Sequence, residues 1–203
     1  MRSILAGGLT FAAILATGPA FAATVTTSTG FLPTYVGPQN GDLEISSASA
    51  TINGADLVLS ATADAPIGTT PGAVYVWGIN TVGASAPAPF ASEGFGGVLF
   101  NNAITVNPAA HAAGVTVSGD TITDIVAISS LKNVVLNPQQ FGISLWPVAG
   151  SGFSAFSEFV PGNGTFAVGG VPEPATWGLM ILGFGGLGVT LRSRRRMVAS
   201  AAA

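Results

Sequence analysis

Residues 52–63 read Ile52-Asn53-Gly54-Ala55-Asp56-Leu57-Val58-Leu59-Ser60-Ala61-Thr62-Ala63. Asn53-Gly54 predicts a two-residue hairpin turn, because a type I′ turn needs positive φ at both central positions. After it, Leu57, Leu59, Ala61 and Ala63 alternate with Val58, Ser60 and Thr62, which gives a strand one apolar face. Before it, Leu43, Ile45 and Ile52 mark a partner strand whose Ser/Ala-rich middle blurs the period.

The same signals continue outward from this hairpin. Ala73-Val74-Tyr75-Val76-Trp77-Gly78-Ile79 is apolar on both faces, which predicts a central strand covered on both sides. Val115 to Ser118, the turn Gly119-Asp120 and Thr121 to Ile128 form a second hairpin, with Gly first as in a type II′ turn. Further strands are expected at 98–106, 140–146 and 164–168, with Pro- and Gly-rich loops at 64–72, 83–97 and 147–152. Phe153, Phe156 and Phe159 read as a loop pinned onto the core, and helix is confined to one turn near Ser130 to Asn133. No fixed-period repeat appears, which argues against a solenoid. The expected fold is all-β, an antiparallel β-sandwich over 23–163, followed by a last strand and linker at 164–171.

The two ends differ from this middle. Arg2, an apolar run from Ile4 to Leu15 and Ala20-Phe21-Ala22 make residues 1–22 a signal peptide, cleaved to leave Ala23 first. Residues 175–191 carry no charge and reach about 25 Å as a helix, just short of a hydrocarbon core of about 30 Å. Arg192, Arg194, Arg195 and Arg196 follow as a stop that stays in the cytoplasm, with 197–203 as a short cytoplasmic end. Trp177 suits the opposite interface. A buried core helix is the alternative for 175–191, but the arginine cluster does not fit it. The expected precursor is single-pass, exported first and stopped last, with the bulk of the chain outside and the arginines in the cytoplasm.

Charge and composition exclude several chemistries. The chain has a net charge of −3, but five of its six cations sit at the ends. Within 23–171 Lys132 alone faces Asp42, Glu44, Asp56, Asp64, Glu93, Asp120, Asp124 and Glu158, so nucleic acid is not an expected partner. There is no cysteine and one histidine, His111, so neither a thiol nucleophile nor an ordinary zinc site is available. No G-x-S-x-G elbow accompanies His111. Gly183-Phe184-Gly185-Gly186-Leu187-Gly188 matches a dinucleotide fingerprint in letters only, since no strand precedes it and no acidic residue follows.

Asp42 and Glu44, two apart on an expected strand edge, project to one side. They are solvated charges, two oxygen ligands for Ca²⁺, or an acid and a base for glycoside cleavage. Calcium is the one cofactor these residues suggest. Asp120 is most simply a turn residue, and Asp124 carries the same alternatives as the Asp42–Glu44 pair. Asn163-Gly164-Thr165 matches the N-glycosylation pattern in letters and reads as a coincidence in a linker. Tyr35, Trp77 and Trp146 are candidate sugar-stacking aromatics, with a core placement as the alternative for all three and the favoured one for Trp77. Thr24, Thr26, Thr27 and Thr29 are too few to form the Thr array that ice binding wants.

Pro172-Glu173-Pro174, Trp177, the Gly-rich span and the terminal arginines together resemble the PEP-CTERM sorting tail, in its variant with Trp three residues after the second proline. Gly178 stands where alanine is common, and Met197 to Ala203 extend past the arginines. The resemblance implies recognition of Pro172, Glu173 and Pro174 by an exosortase, a membrane-embedded cysteine transpeptidase, with Trp177 as the variant's marker. It also implies a Gram-negative bacterium that secretes exopolysaccharide, export by the Sec machinery, an inner-membrane intermediate with its ectodomain in the periplasm, a matrix or biofilm setting, and final residence at the cell surface or in the extracellular matrix. Gly30 to Tyr35, Asn40 to Glu44 and Gly72 to Gly78 are similar to stretches of small β-rich secreted domains that carry this tail. The first expectation is a non-enzymatic surface or extracellular-matrix protein in contact with exopolysaccharide. The alternatives are a carbohydrate-binding or calcium-dependent adhesive module, and a surface hydrolase.

Overall fold

The computed structural model describes residues 23–26 and 30–169. The expected signal peptide at 1–22, and everything expected of the tail from 172 onward, lie outside the described residues.

The described chain is built on strands: β1 (Ala23–Thr26), β2 (Ile45–Asn53), β3 (Asp56–Ala63), β4 (Val74–Asn80), β5 (Asn102–Val106), β6 (Val115–Ser118), β7 (Thr121–Ala127), β8 (Gly142–Val148) and β9 (Phe166–Ala167). They form two antiparallel sheets, a five-stranded one in the order β1-β2-β3-β7-β6 and a four-stranded one in the order β5-β4-β8-β9. The helical segments among the described residues are three-residue 3₁₀ turns, one at Ile128–Ser130 beside the turn expected near Ser130. No helix among the described residues is long and apolar enough to cross a membrane.

The hairpin at 52–63 forms, with its turn one residue later than expected. Asn53 stands opposite Asp56, so the loop is Gly54-Ala55, and Gly54 has φ of 61°. Only the first loop position takes positive φ, the type II′ pattern, which a single glycine satisfies. Leu57, Leu59, Ala61 and Ala63 are buried as their alternation requires, opposite buried Ala48 and Ala50. The blurred period of β2 has a cause: the register shifts between Ile45 and Ser47, which leaves Ser46 and Ser47 both half-buried.

One core joins the two sheets. Small residues of β2 and β3 (Ala48, Ala50, Ala61, Ala63) share it with large ones of β4 and β8 (Tyr75, Trp77, Ile143, Leu145), so facing volumes complement each other. β4 is central, between β5 and β8, and is covered on both faces as expected. Its second cover is a cluster of Trp146, Val98 and Phe159 with Val76, Phe90, Phe95, Phe100, Phe153 and Phe156 packed against it. The rings come from the expected loops, and Phe90 meets Trp146 edge-on at 5.3 Å and Phe159 at 5.1 Å. The strand expected at 98–106 is shorter at its start because Val98 and Phe100 serve this cover.

The outer face of the five-stranded sheet carries two rows of hydroxyls, flanked by a row in which Val58 and Ile125 are also turned outward. Register places Thr24, Ser49, Ser60, Thr123 and Thr116 in one cross-strand row, and Ser47, Thr62, Thr121 and Ser118 in the next. All are exposed or half-exposed and alternate with inward residues such as Ala48, Ala61 and Ile122. Neighbouring hydroxyls bond across strands, Ser60 with Thr123 at 3.1 Å and Thr62 with Thr121 at 3.2 Å.

Candidate functional site

Asp42 and Glu44 do not lie side by side on a strand edge. Both precede β2, in a turn set by Gly41, which has φ of 87° and whose carbonyl accepts the N–H of Glu44. A turn breaks the two-residue alternation that would aim both carboxylates one way. Asp42 is fully buried; Oδ2 accepts the Thr70 N–H at 2.7 Å and Oδ1 the Thr70 hydroxyl at 2.6 Å. Its backbone carbonyl accepts the hydroxyl of Tyr75. Burial raises the Tyr75 phenol well above its usual range, and the Asp42 carboxylate adds to the effect. Both Asp42 oxygens are therefore committed to holding the 64–72 loop against β2.

Glu44 belongs to a different group. Glu158 is buried, Oε1 accepts the N–H of Ile45, and Oε2 has no hydrogen-bond partner among the described residues. Burial pushes its carboxyl up to about 7, the Ile45 N–H opposes this, and the nearby charges of Glu44 and Asp64 push further. The segment carrying it is stitched to β8 on both sides, by Val160 with Leu145 and by Ser157 with the Pro147 carbonyl. Glu158 is a key residue that sequence reasoning counted only as a charge. Its signal was available in Phe156-Ser157-Glu158-Phe159-Val160, an acid inside an apolar run.

Asp124 is inward-facing on β7, with Oδ2 unpartnered among the described residues; burial raises its carboxyl, and the Ile125 N–H lowers it. Asp120 is exposed at the β6–β7 turn, where it accepts the Thr121 hydroxyl at 3.1 Å. His111 is exposed, with Nδ1 at 3.0 Å from the carbonyl of Ala109 in its own loop. Among the described residues no group of three or more His, Cys, Asp or Glu is arranged to hold a metal ion.

The aromatic candidates are all interior. Tyr35, Trp77 and Trp146 keep 7%, 0% and 3% of their surface, so none offers an open ring to a sugar. The core placement expected for Trp77 holds; that of Trp146 was hidden because the rings covering it arrive from distant loops. An open apolar cleft of about 230 Å³ lies nearby, lined by Gly30, Phe31, Leu32, Pro33, Phe95, Phe159 and Gly162. Its lining has no titratable group, and the buried carboxyls do not reach it. Asn163 is structural: Oδ1 accepts the Gly97 N–H at 2.7 Å, and the amide donates to the Gly94 carbonyl at 3.2 Å.

The exit of the described chain is tied down rather than loose. Val168 is buried and donates to the Phe141 carbonyl at 3.1 Å; Gly169 donates to the Ala50 carbonyl at 2.9 Å. The chain is thus held by residues from both sheet systems directly before its tail. No curated protein and no solved structure matches the chain. Residues 170–196 match the family model of the PEP-CTERM protein-sorting motif, which implies export, a membrane-anchored intermediate and processing by an exosortase-type enzyme. The segment 170–196, directly after the described residues, is a PEP-CTERM protein-sorting motif.

Proposed function

We propose that the protein is a non-enzymatic surface or extracellular-matrix component whose β-sandwich ectodomain is delivered by its tail. Cleavage after Ala22 frees the ectodomain in the periplasm, and the 175–191 span with Arg192, Arg194, Arg195 and Arg196 behind it holds the intermediate in the inner membrane. An exosortase then engages Pro172, Glu173, Pro174 and Trp177, and the ectodomain reaches the surface or matrix. The observation that carries this reading is the sorting motif at 170–196 directly behind a folded unit packed as far as Gly169. The absence of catalysis is supported by the placement of the carboxyls: Asp42 is consumed by Thr70, and Glu158 and Asp124 are sealed in the interior.

The test is to follow an epitope-tagged precursor in the producing cell, with and without its exosortase, alongside Glu173→Ala. Loss of the enzyme or of Glu173 is expected to leave a longer, inner-membrane-bound form. Unchanged size and fractionation in both cases would contradict the reading.

A further inference from the structure

We propose that the hydroxyl rows on the outer face of the five-stranded sheet bind an extended neutral polysaccharide, without aromatic stacking. One row runs Thr24, Ser49, Ser60, Thr123, Thr116 and the adjacent one Ser47, Thr62, Thr121, Ser118, each side chain standing clear of the core. Sheet geometry spaces neighbours in a row by roughly 4.8 Å and the two rows by roughly 7 Å. The result is a two-dimensional grid of groups that both donate and accept hydrogen bonds.

The chemistry of the occupant follows from what the face contains and lacks. No charge lies within the rows; on one side the next row is Thr51, Val58 and exposed Ile125, with Asp56 beyond it, and on the other Asp64 and Asp120 lie just past Thr62 and Thr121. An uncharged grid has no attraction for nucleic acid, ions or a charged peptide. It matches a ligand that is itself neutral and carries a donor and acceptor at every repeat, which is the description of a polyol chain. No aromatic ring lies in the rows, so a single sugar gains little over water. Only a polymer that engages many hydroxyls at once binds measurably, because every contact after the first is intramolecular. Ser60–Thr123 and Thr62–Thr121 hold each other across strands, which fixes their rotamers before a ligand arrives. The proposal goes beyond delivery by the sorting tail and does not depend on it.

The experiment is native electrophoresis of the full chain in detergent micelles, through gels cast with dextran, galactomannan, mixed-linkage β-glucan or anionic alginate. At least one neutral polysaccharide is expected to retard the protein, with alginate having no effect. The double variant Ser60→Lys/Thr123→Lys should weaken that retardation roughly tenfold or more, since several hydroxyl contacts are lost together. Ser151→Lys, which adds a charge on an exposed loop, should leave it unchanged. Thr116→Lys on the exposed edge strand β6 repeats the test should the double variant not fold. No retardation by any neutral polysaccharide overturns the proposal, as does retardation by alginate alone or retardation that survives both face variants. Self-association that the face variants abolish, with no polysaccharide effect, gives the face to a second copy of the chain and overturns it equally.

Discussion

Glu158 accepts the backbone N–H of Ile45 with Oε1, while Oε2 has no partner among the described residues and Glu44 and Asp64 bear on the same carboxyl. This contact anchors the 157–160 segment to the first residue of β2 and makes the fold sensitive to pH near neutrality. The folded carboxyl is raised to about 7 from an ordinary 4.5. The folded state therefore holds the proton more tightly than the unfolded one. The stabilisation is fully present below about pH 4.5 and is lost as pH rises through about 7, a change on the order of 3 kcal/mol. Asp124, also raised by burial, contributes with the same sign.

The corresponding substitution is Glu158→Gln, which stays neutral and can still accept the Ile45 N–H. Thermal unfolding between pH 5 and 8 is expected to show a melting temperature that falls with pH in the parent and a flatter profile in the variant. At pH 8 the variant should equal or exceed the parent. A parent profile that rises across this interval would show that Glu158 is not the controlling group.

Asp42→Ala removes the acceptor of both the N–H and the hydroxyl of Thr70, two buried donors within the 64–72 loop. Leaving such donors unsatisfied costs about 1–3 kcal/mol each, so chemical denaturation should register a loss of that order or more. Because both oxygens of Asp42 are already engaged, calcium and EDTA should leave the parent's melting temperature unchanged. A clear rise in calcium would return Asp42 and Glu44 to the role of ligands.

Gly78 sits on the aromatic-covered side of β4, opposite Ser144. A Cβ there would stand 2.7 Å from Cζ3 of Trp146 and 2.6 Å from the Ser144 hydroxyl oxygen. Gly78→Ala should push Trp146 out of its packing against Phe90 and Phe100 and cost about 1–3 kcal/mol. Equilibrium denaturation reads the loss, and an unchanged midpoint would mean that the indole does not lie on this strand.

What the sequence disclosed were the features that live within one strand or one loop. The Leu57-to-Ala63 alternation, the two-sided apolar run at 73–79 and the anchoring Phe153, Phe156 and Phe159 are local, and the structure realises each. Hidden from it were features made by register. Thr24 and Thr116 belong to one row only because β1, β2, β3, β7 and β6 pair in that order, which no local period encodes. Asp42 misled because Gly41 turns the chain and cancels the strand alternation. Trp146 reads as available to a ligand until Phe90, Phe100 and Phe159 are brought over it. Glu158 could have been flagged by its apolar flanks, but its bond to Ile45 spans two distant segments.

Delivery of the ectodomain requires that the sorting tail be read and processed. Intact-mass spectrometry of the protein recovered from the surface or matrix measures both ends at once. The expected species begins at Ala23 and has lost the segment from the sorting motif onward, including Arg192 to Arg196. Recovery of the unprocessed chain, Met1 to Ala203, as a soluble cytosolic species would contradict it.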